Sequence, residues 1–146
     1  MLRKIRIFST ICCSKEPWER LRLPETILPI SYDLKVRTDL TNLVFNGSVD
    51  ILIECFEKTN IILVHNRNLT IPAGTTTLMR DDGDTAPGFL QEPWLTEDTE
   101  YIVIQLVDLL EVGAKYRLHI EFNNVLRNDL GGYYWSSYKP KSGGER

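Results

Sequence analysis

Two histidines, His65 and His119, are the side chains best suited to hold a metal or move a proton near neutral pH. A helical zinc site needs two histidines one turn apart, with a Glu between them to activate water. His65 and His119 are far apart in the chain, His65 after an apolar run and His119 on the polar parity of an alternating stretch. Both read as ordinary surface or half-buried histidines. A hydrolytic triad of His119 with Ser136 or Ser137 lacks the strand-to-helix elbow that would expose the nucleophile. Asp81, Asp82 and Asp84 gather round Gly83, but without the alternating acid spacing and closing Glu of a calcium loop, so a solvated turn is expected. No catalytic, cofactor-binding or metal-binding residue is therefore assigned.

Modification chemistry is more plausible. Asn46-Gly47-Ser48 and Asn68-Leu69-Thr70 are sequons, so Asn46 and Asn68 are glycan acceptors if the chain is exported, and plain asparagines otherwise. Three cysteines are too few for a disulfide framework, and Cys12 and Cys13 are adjacent. Cys55 falls on an apolar strand face and reads as a small buried hydrophobe. Arg3, Lys4 and Arg6 precede a short apolar run, Ile7 to Cys13, but Ser9 and Thr10 interrupt it and no small-residue cleavage site follows. Acylation of Cys12 or Cys13 is an alternative reading. The expectation for residues 1–20 is a disordered leader.

The elements that would position these residues are strands. Phe45, Gly47, Val49, Ile51, Ile53 and Cys55 alternate with Asn46, Ser48, Asp50 and Glu54, the period of a half-buried strand. Leu52 and Phe56 interrupt the polar face, so it too is expected to be partly covered. Gly47 is read as lying within this strand, at a bulge or close backbone approach. Ile61 to Val64 is a short apolar run expected to return as a hairpin partner, with a small segment at Leu69 to Ile71. Before these, Tyr32, Leu34 and Val36 alternate with Asp33, Lys35 and Arg37 after the extended Leu23-Pro24 and Leu28-Pro29 entry. After them come a weak strand over Thr75 to Arg80, a loop over Asp81 to Gly88, and strong alternation at Ile102 to Leu106 and Tyr116 to Phe122. No amphipathic helix is expected. The fold class is all-β, an antiparallel curved double sheet or β-sandwich. Ile51, Ile53, Leu118 and Ile120 are expected in one core. Tyr133, Tyr134, Trp135 and Tyr138 are read as packing side chains rather than a ligand-stacking platform.

Composition agrees with one globular domain: 42 % hydrophobic and 25 % charged residues are ordinary values. The net charge of −3, with basic residues scattered, argues against a nucleic-acid partner. No stretch approaches the ~18 apolar residues of a membrane span.

Leu23, Pro24, Pro29, Tyr32 and Leu34 open a series of spaced residues that continues with Phe45, Gly47, Val49, Ile51 and Ile53. Thr59, Ile62, Leu63, His65, Leu69 and Ile71 follow, then Leu110, Gly113, Tyr116, Leu118, Ile120 and Phe122, and Gly132, Tyr133, Tyr134, Ser136 and Tyr138 end it. In this order, with small offsets over Thr59 to Ile71, the series resembles the start of the aminopeptidase N-like zinc metallopeptidase family. The chain departs from the family pattern at Asn123, where glycine is usual, and at Trp135, where a basic residue is common. The resemblance implies a saddle-like β-domain over residues 21–138, incomplete at its C-terminal end; the tail over 139–146, rich in Lys and Gly, is expected to be disordered. It implies a non-catalytic N-terminal part of a peptidase, as a fragment or short isoform, inactive alone. In the full-length family zinc is held by a His-Glu-x-x-His helix and a more distant Glu, and peptides are bound by a Gly-Ala-Met-Glu-Asn loop; neither motif is in this sequence. The implied partner is the family's catalytic domain, and the implied location is extracellular or a plasma-membrane ectodomain rather than the cytoplasm. The alternative is a free-standing β-sandwich module for binding or adhesion.

Overall fold

A computed structural model describes residues 15–129 and 132–138. The expectations for Cys12, Cys13 and the tail over 139–146 lie outside these residues, as does most of the leader. Where the leader overlaps them, Pro17–Glu19 form a short 3-10 turn. There Trp18 packs edge-on against Trp94 at 5.5 Å, and its carbonyl accepts from Thr99 Oγ1 at 2.8 Å.

The strands are β1 (Ile27–Asp39), β2 (Val44–Cys55), β3 (Ile61–His65), β4 (Thr77–Arg80), β5 (Trp94–Leu95), β6 (Tyr101–Gln105) and β7 (Lys115–Val125). No α-helix occurs among the described residues. One sheet has the order β1-β2-β7-β4 and the other β3-β6-β5, with every pairing antiparallel. The expected all-β double sheet is therefore the observed class.

β2 is the strand between two long neighbours, β1 and β7, and its alternation sets the layers. Ile51 lies opposite Leu118, and Ile53 opposite Tyr116. These side chains point to one face because directly opposed residues in an antiparallel ladder share a face. Against them the second sheet brings Ile62, Ile102 and Ile104, and the resulting core also takes in Cys55, Leu106 and Leu110. Ile51, Ile53, Leu118 and Ile120 do share this core. A second, smaller cluster joins Phe45, Phe122 and Leu126 at one end. At Gly47 the strand admits no side chain: a Cβ there would collide with the Lys35 carbonyl oxygen and come within 2.8 Å of the Phe122 ring. The close backbone approach anticipated for this in-strand glycine is thus present.

One pairing differs from the sequence reading. β3 does not fold back on β2; it pairs with β6 in the other sheet. The connection after β2 is of hairpin length, but its backbone is held elsewhere. Phe56 N–H donates to Thr26 O at 2.8 Å, while Asn60 O and Thr59 O accept from Leu106 and Leu110 at 2.7 and 2.8 Å. These bonds carry the chain across to the second layer before β3 begins. The Leu69 to Ile71 segment contributes an isolated bridge, Thr70 to Asn123.

Candidate functional site

The polar face of the four-stranded sheet holds one of the two histidines. His119 on β7 lies directly opposite Asp50 on β2, and its Nδ1 is 2.9 Å from Asp50 Oδ1. Its Nε2 is 3.8 Å from Glu121 Oε1. Both ring nitrogens therefore face carboxylates of the sheet surface, in an arrangement that stabilises cross-strand pairing. His65 ends β3, exposed, its ring 4.6 Å from that of Tyr101. The two histidines belong to different sheets, and no group of three His, Cys, Asp or Glu side chains that could hold a metal occurs among the described residues. These residues do not fit a zinc ion.

The acidic loop is a charged turn. Asp82 Oδ1 accepts from the Asp84 N–H at 3.0 Å, and Asp82 Oδ2 from Arg80 Nε at 2.8 Å. These donors hold the Asp82 carboxyl below its usual pKa, the backbone bond first and Arg80 after it. Arg117 takes Asp81 at 3.1 Å, and Arg80 also pairs with Glu111. The loop's acids thus meet arginines and a backbone amide. Cys55 is fully buried and donates its thiol to Glu57 O at 3.1 Å; burial pushes its pKa up, as for an inert thiol.

What the fold does build is an apolar cleft. It has a volume of about 720 Å³ and is walled by Tyr32, Leu34 and Val36 of β1 and by Phe45, Ile120 and Phe122. The β1 residues are 64 %, 61 % and 43 % exposed although they stand on the same face as the core residues of β2. Alternation foretold their parity but not their exposure. Tyr133 closes one end, packing edge-on to Phe45 at 5.0 Å with its hydroxyl 2.6 Å from Thr38 Oγ1. Trp135 packs on the neighbouring aromatic cluster, while Tyr134 and Tyr138 stay exposed. Asn66, the buried polar side chain of the rim, is spent on a local turn, binding both the N–H and the carbonyl of Leu69. The cleft is suited to covering by another apolar surface; its rim carries His65, Arg127 and Asp129, and among the described residues these form no group that could hold a metal.

Asn46 stands exposed on the polar face of β2. Asn68 is exposed in the turn after β3 with φ of 61°, a left-handed conformation that asparagine tolerates better than most residues. Asn68 lies on the rim of the cleft, and Asn46 does not line it.

A family model described as the peptidase M1 N-terminal domain matches residues 28–146. Aminopeptidase N of Oryctolagus cuniculus is 35 % identical over 129 residues, covering 84 % of this chain and 13 % of its own length. Aminopeptidase N of Homo sapiens is 34 % identical over 137 residues, 89 % of this chain and 14 % of its own. Endoplasmic reticulum aminopeptidase 1 of Homo sapiens is 31 % identical over 130 residues, covering 87 % of this chain and 13 % of its own. The chain therefore spans about an eighth of the length of the curated relatives it matches.

Proposed function

We propose, because the chain belongs to the peptidase M1 N-terminal domain family, that it serves as the non-catalytic β-domain of an aminopeptidase N-like zinc metallopeptidase. Its task in that reading is to pack against the rest of such an enzyme. The observation that carries it is the uncovered apolar cleft, in a chain that aligns with a small part of far longer relatives. Exposed apolar surface of that kind marks an interaction site. Zinc, where a catalytic domain holds it, would polarise the substrate carbonyl and activate water; the residues of this chain contribute no ligand to it. Peptides are then substrates of the assembled enzyme and not of this chain.

Two measurements test the reading. The purified chain with added zinc, assayed on aminoacyl fluorogenic amides, should give no turnover; activity that a chelator abolishes and that survives removal of contaminating peptidase would overturn it. Mixed with a family catalytic domain made without its own β-domain, the chain should bind, and Tyr32→Asp with Leu34→Asp should abolish binding. Failure to bind would remove the packing role.

We also place the chain in an exported enzyme, with Asn46 and Asn68 as glycan acceptors. Both side chains are accessible to a modifying enzyme. A mass loss on glycosidase treatment of secreted chain, absent from the Asn46→Gln, Asn68→Gln double variant, is the expected result. An unshifted mass would end this reading.

A further inference from the structure

β1 is an edge strand among the described residues: its one partner there is β2, on one side. Free edges expose a row of unpaired backbone groups, and proteins blunt them with prolines, bulges or charges. Here Pro29 and the register shift between Pro29 and Ser31 interrupt the ladder at one end, and the rest of the strand carries charges of both signs, which oppose some pairings and favour others. From Ser31 to Asp39 the pairing with β2 runs without a break. On the polar face of this stretch stand Asp33, Lys35 and Arg37, and on the apolar face Tyr32, Leu34 and Val36, all of them exposed.

We propose that this chain forms a two-fold dimer in which β1 pairs antiparallel with β1 of a second copy, in the register centred on Leu34. Two-fold pairing at a sheet edge keeps both copies the same face up, so residues of equal parity must meet. That leaves few registers, and charge chooses among them. Centred on Asp33 or Lys35, the axis sets that charge against itself. Centred on Val36, it sets Lys35 against Arg37. Centred on Tyr32, it sets Asp33 against Ser31 and Lys35 against Pro29. Centred on Leu34, it sets Asp33 against Lys35 twice, Tyr32 against Val36 twice and Leu34 against Leu34. Pro29 then falls at the end of the paired stretch, where its missing N–H costs least.

The neighbouring charges favour the same register. Asp33 lies directly opposite Asp50 within the sheet, an unfavourable like pair. Asp50 is answered by His119 at 2.9 Å, whereas among the described residues Asp33 meets Lys35 of its own strand at 3.9 Å, both groups well exposed. In the dimer the second copy's Lys35 comes opposite Asp33, so the like pair Asp50–Asp33 is bracketed by His119 on one side and that lysine on the other. On the other face the β1 walls of the two clefts join into one apolar stripe.

Charge reversal tests the register. Sedimentation velocity should show a concentration-dependent monomer–dimer equilibrium for the unaltered chain. Asp33→Lys and Lys35→Asp should each weaken it about tenfold or more, since two cross-strand attractions become repulsions. Combining both changes in one chain should restore the dimer. Mixing the two single variants should give a heterodimer that neither forms as a homodimer. These positions are solvent-exposed, so folding of each variant, checked by circular dichroism, should be unchanged. A monomer at all concentrations, association without defined stoichiometry, or a dimer indifferent to the reversals would each overturn the proposal. So would a monomer whose β1 amides resist deuterium exchange, because another segment of the same chain would then occupy the edge.

Discussion

β1 and β7 flank the same strand, pair with it in the same sense and alternate apolar with polar residues in the same way, yet one is buried and the other bare. On β7, Tyr116, Leu118 and Ile120 are 1 %, 0 % and 2 % exposed; on β1, Tyr32 and Leu34 are 64 % and 61 % exposed. The difference lies in the second layer. The three-stranded sheet presents Ile62, Ile102 and Ile104 to β2 and β7, while β1 joins that core only through Ile27 at its start. Hydrogen bonding to a neighbour orders a strand, but the free energy of burial comes from the layer stacked on it. β1 therefore has the geometry of a core strand without the coverage. Among the described residues this asymmetry leaves β1 with an uncovered apolar wall and an unpaired edge.

The largest expected contrast comes from trimming the same residue type on both strands. Leu118→Ala should cost about 2–5 kcal/mol, because it leaves a cavity in a closed core. Leu34→Ala on the bare strand should fall within about 0.5 kcal/mol, the range of surface changes. Urea denaturation at a concentration where the chain is monomeric reads both. Equal costs would mean that β1 is covered in solution and would erase the contrast.

The next effect sits where the two regions touch. Gly47 is the point at which β2 has room for no side chain between the β1 backbone at Lys35 and the Phe122 ring of β7. Gly47→Ala should cost about 1–3 kcal/mol, the usual penalty of overpacking. If β1 yields more readily than β7, amide exchange should quicken on β1 and stay slow on β7. A stability change near zero would mean that the Lys35 backbone moves aside freely.

These tests also mark what the sequence made legible. The faces of β2 and β7 were readable because polar and apolar residues alternate on both and each has a buried face. The in-strand place of Gly47 followed from unbroken alternation through it. The sheet to which β3 belongs was not readable, because it depends on hydrogen bonds from the Phe56 and Asn60 region to residues distant in sequence. Nor was the bareness of β1: period two says which way Leu34 points and nothing of what lies above it. At the site, the spacing of His65 and His119 was enough to argue against a helical zinc pair. The contact of His119 with Asp50 needed the cross-strand register, which no local pattern encodes.

A smaller effect belongs to the covered region. Tyr101 is fully buried in β6, and its hydroxyl has no hydrogen-bond partner among the described residues. A buried, unsatisfied polar group is a cost that its removal relieves. Tyr101→Phe should leave stability unchanged or raise it by about 1 kcal/mol. A loss of comparable size would show that the hydroxyl is satisfied in solution, most simply by a bound water.

The smallest effect separates the two strands by pH. Asp39 ends β1 and organises the turn into β2: its Oδ1 accepts the N–H groups of Thr41 and Asn42 at 2.9 and 3.1 Å, and its Oδ2 accepts Asn42 Nδ2 at 2.7 Å. These bonds, led by the Asn42 side chain, hold the Asp39 carboxyl below its usual pKa. A carboxyl whose folded pKa is depressed releases its proton more readily in the folded state, so it adds stability above the unfolded value of about 3.9. That contribution is whole near neutral pH, falls as the pH drops through the folded value, and is gone below it. The carboxyl is exposed to solvent and ties only the β1–β2 turn, so the loss should be small and local. Exchange at the Thr41 and Asn42 amides should quicken at acid pH relative to that at Ile120 on β7, after correction for intrinsic rates. Asp39→Asn, which cannot titrate, should show faster exchange at neutral pH and no further relative change in acid. If both proteins changed alike with pH, the acid response would belong to the sheet as a whole, and Asp39 would not be the group that holds the bare strand to the covered one.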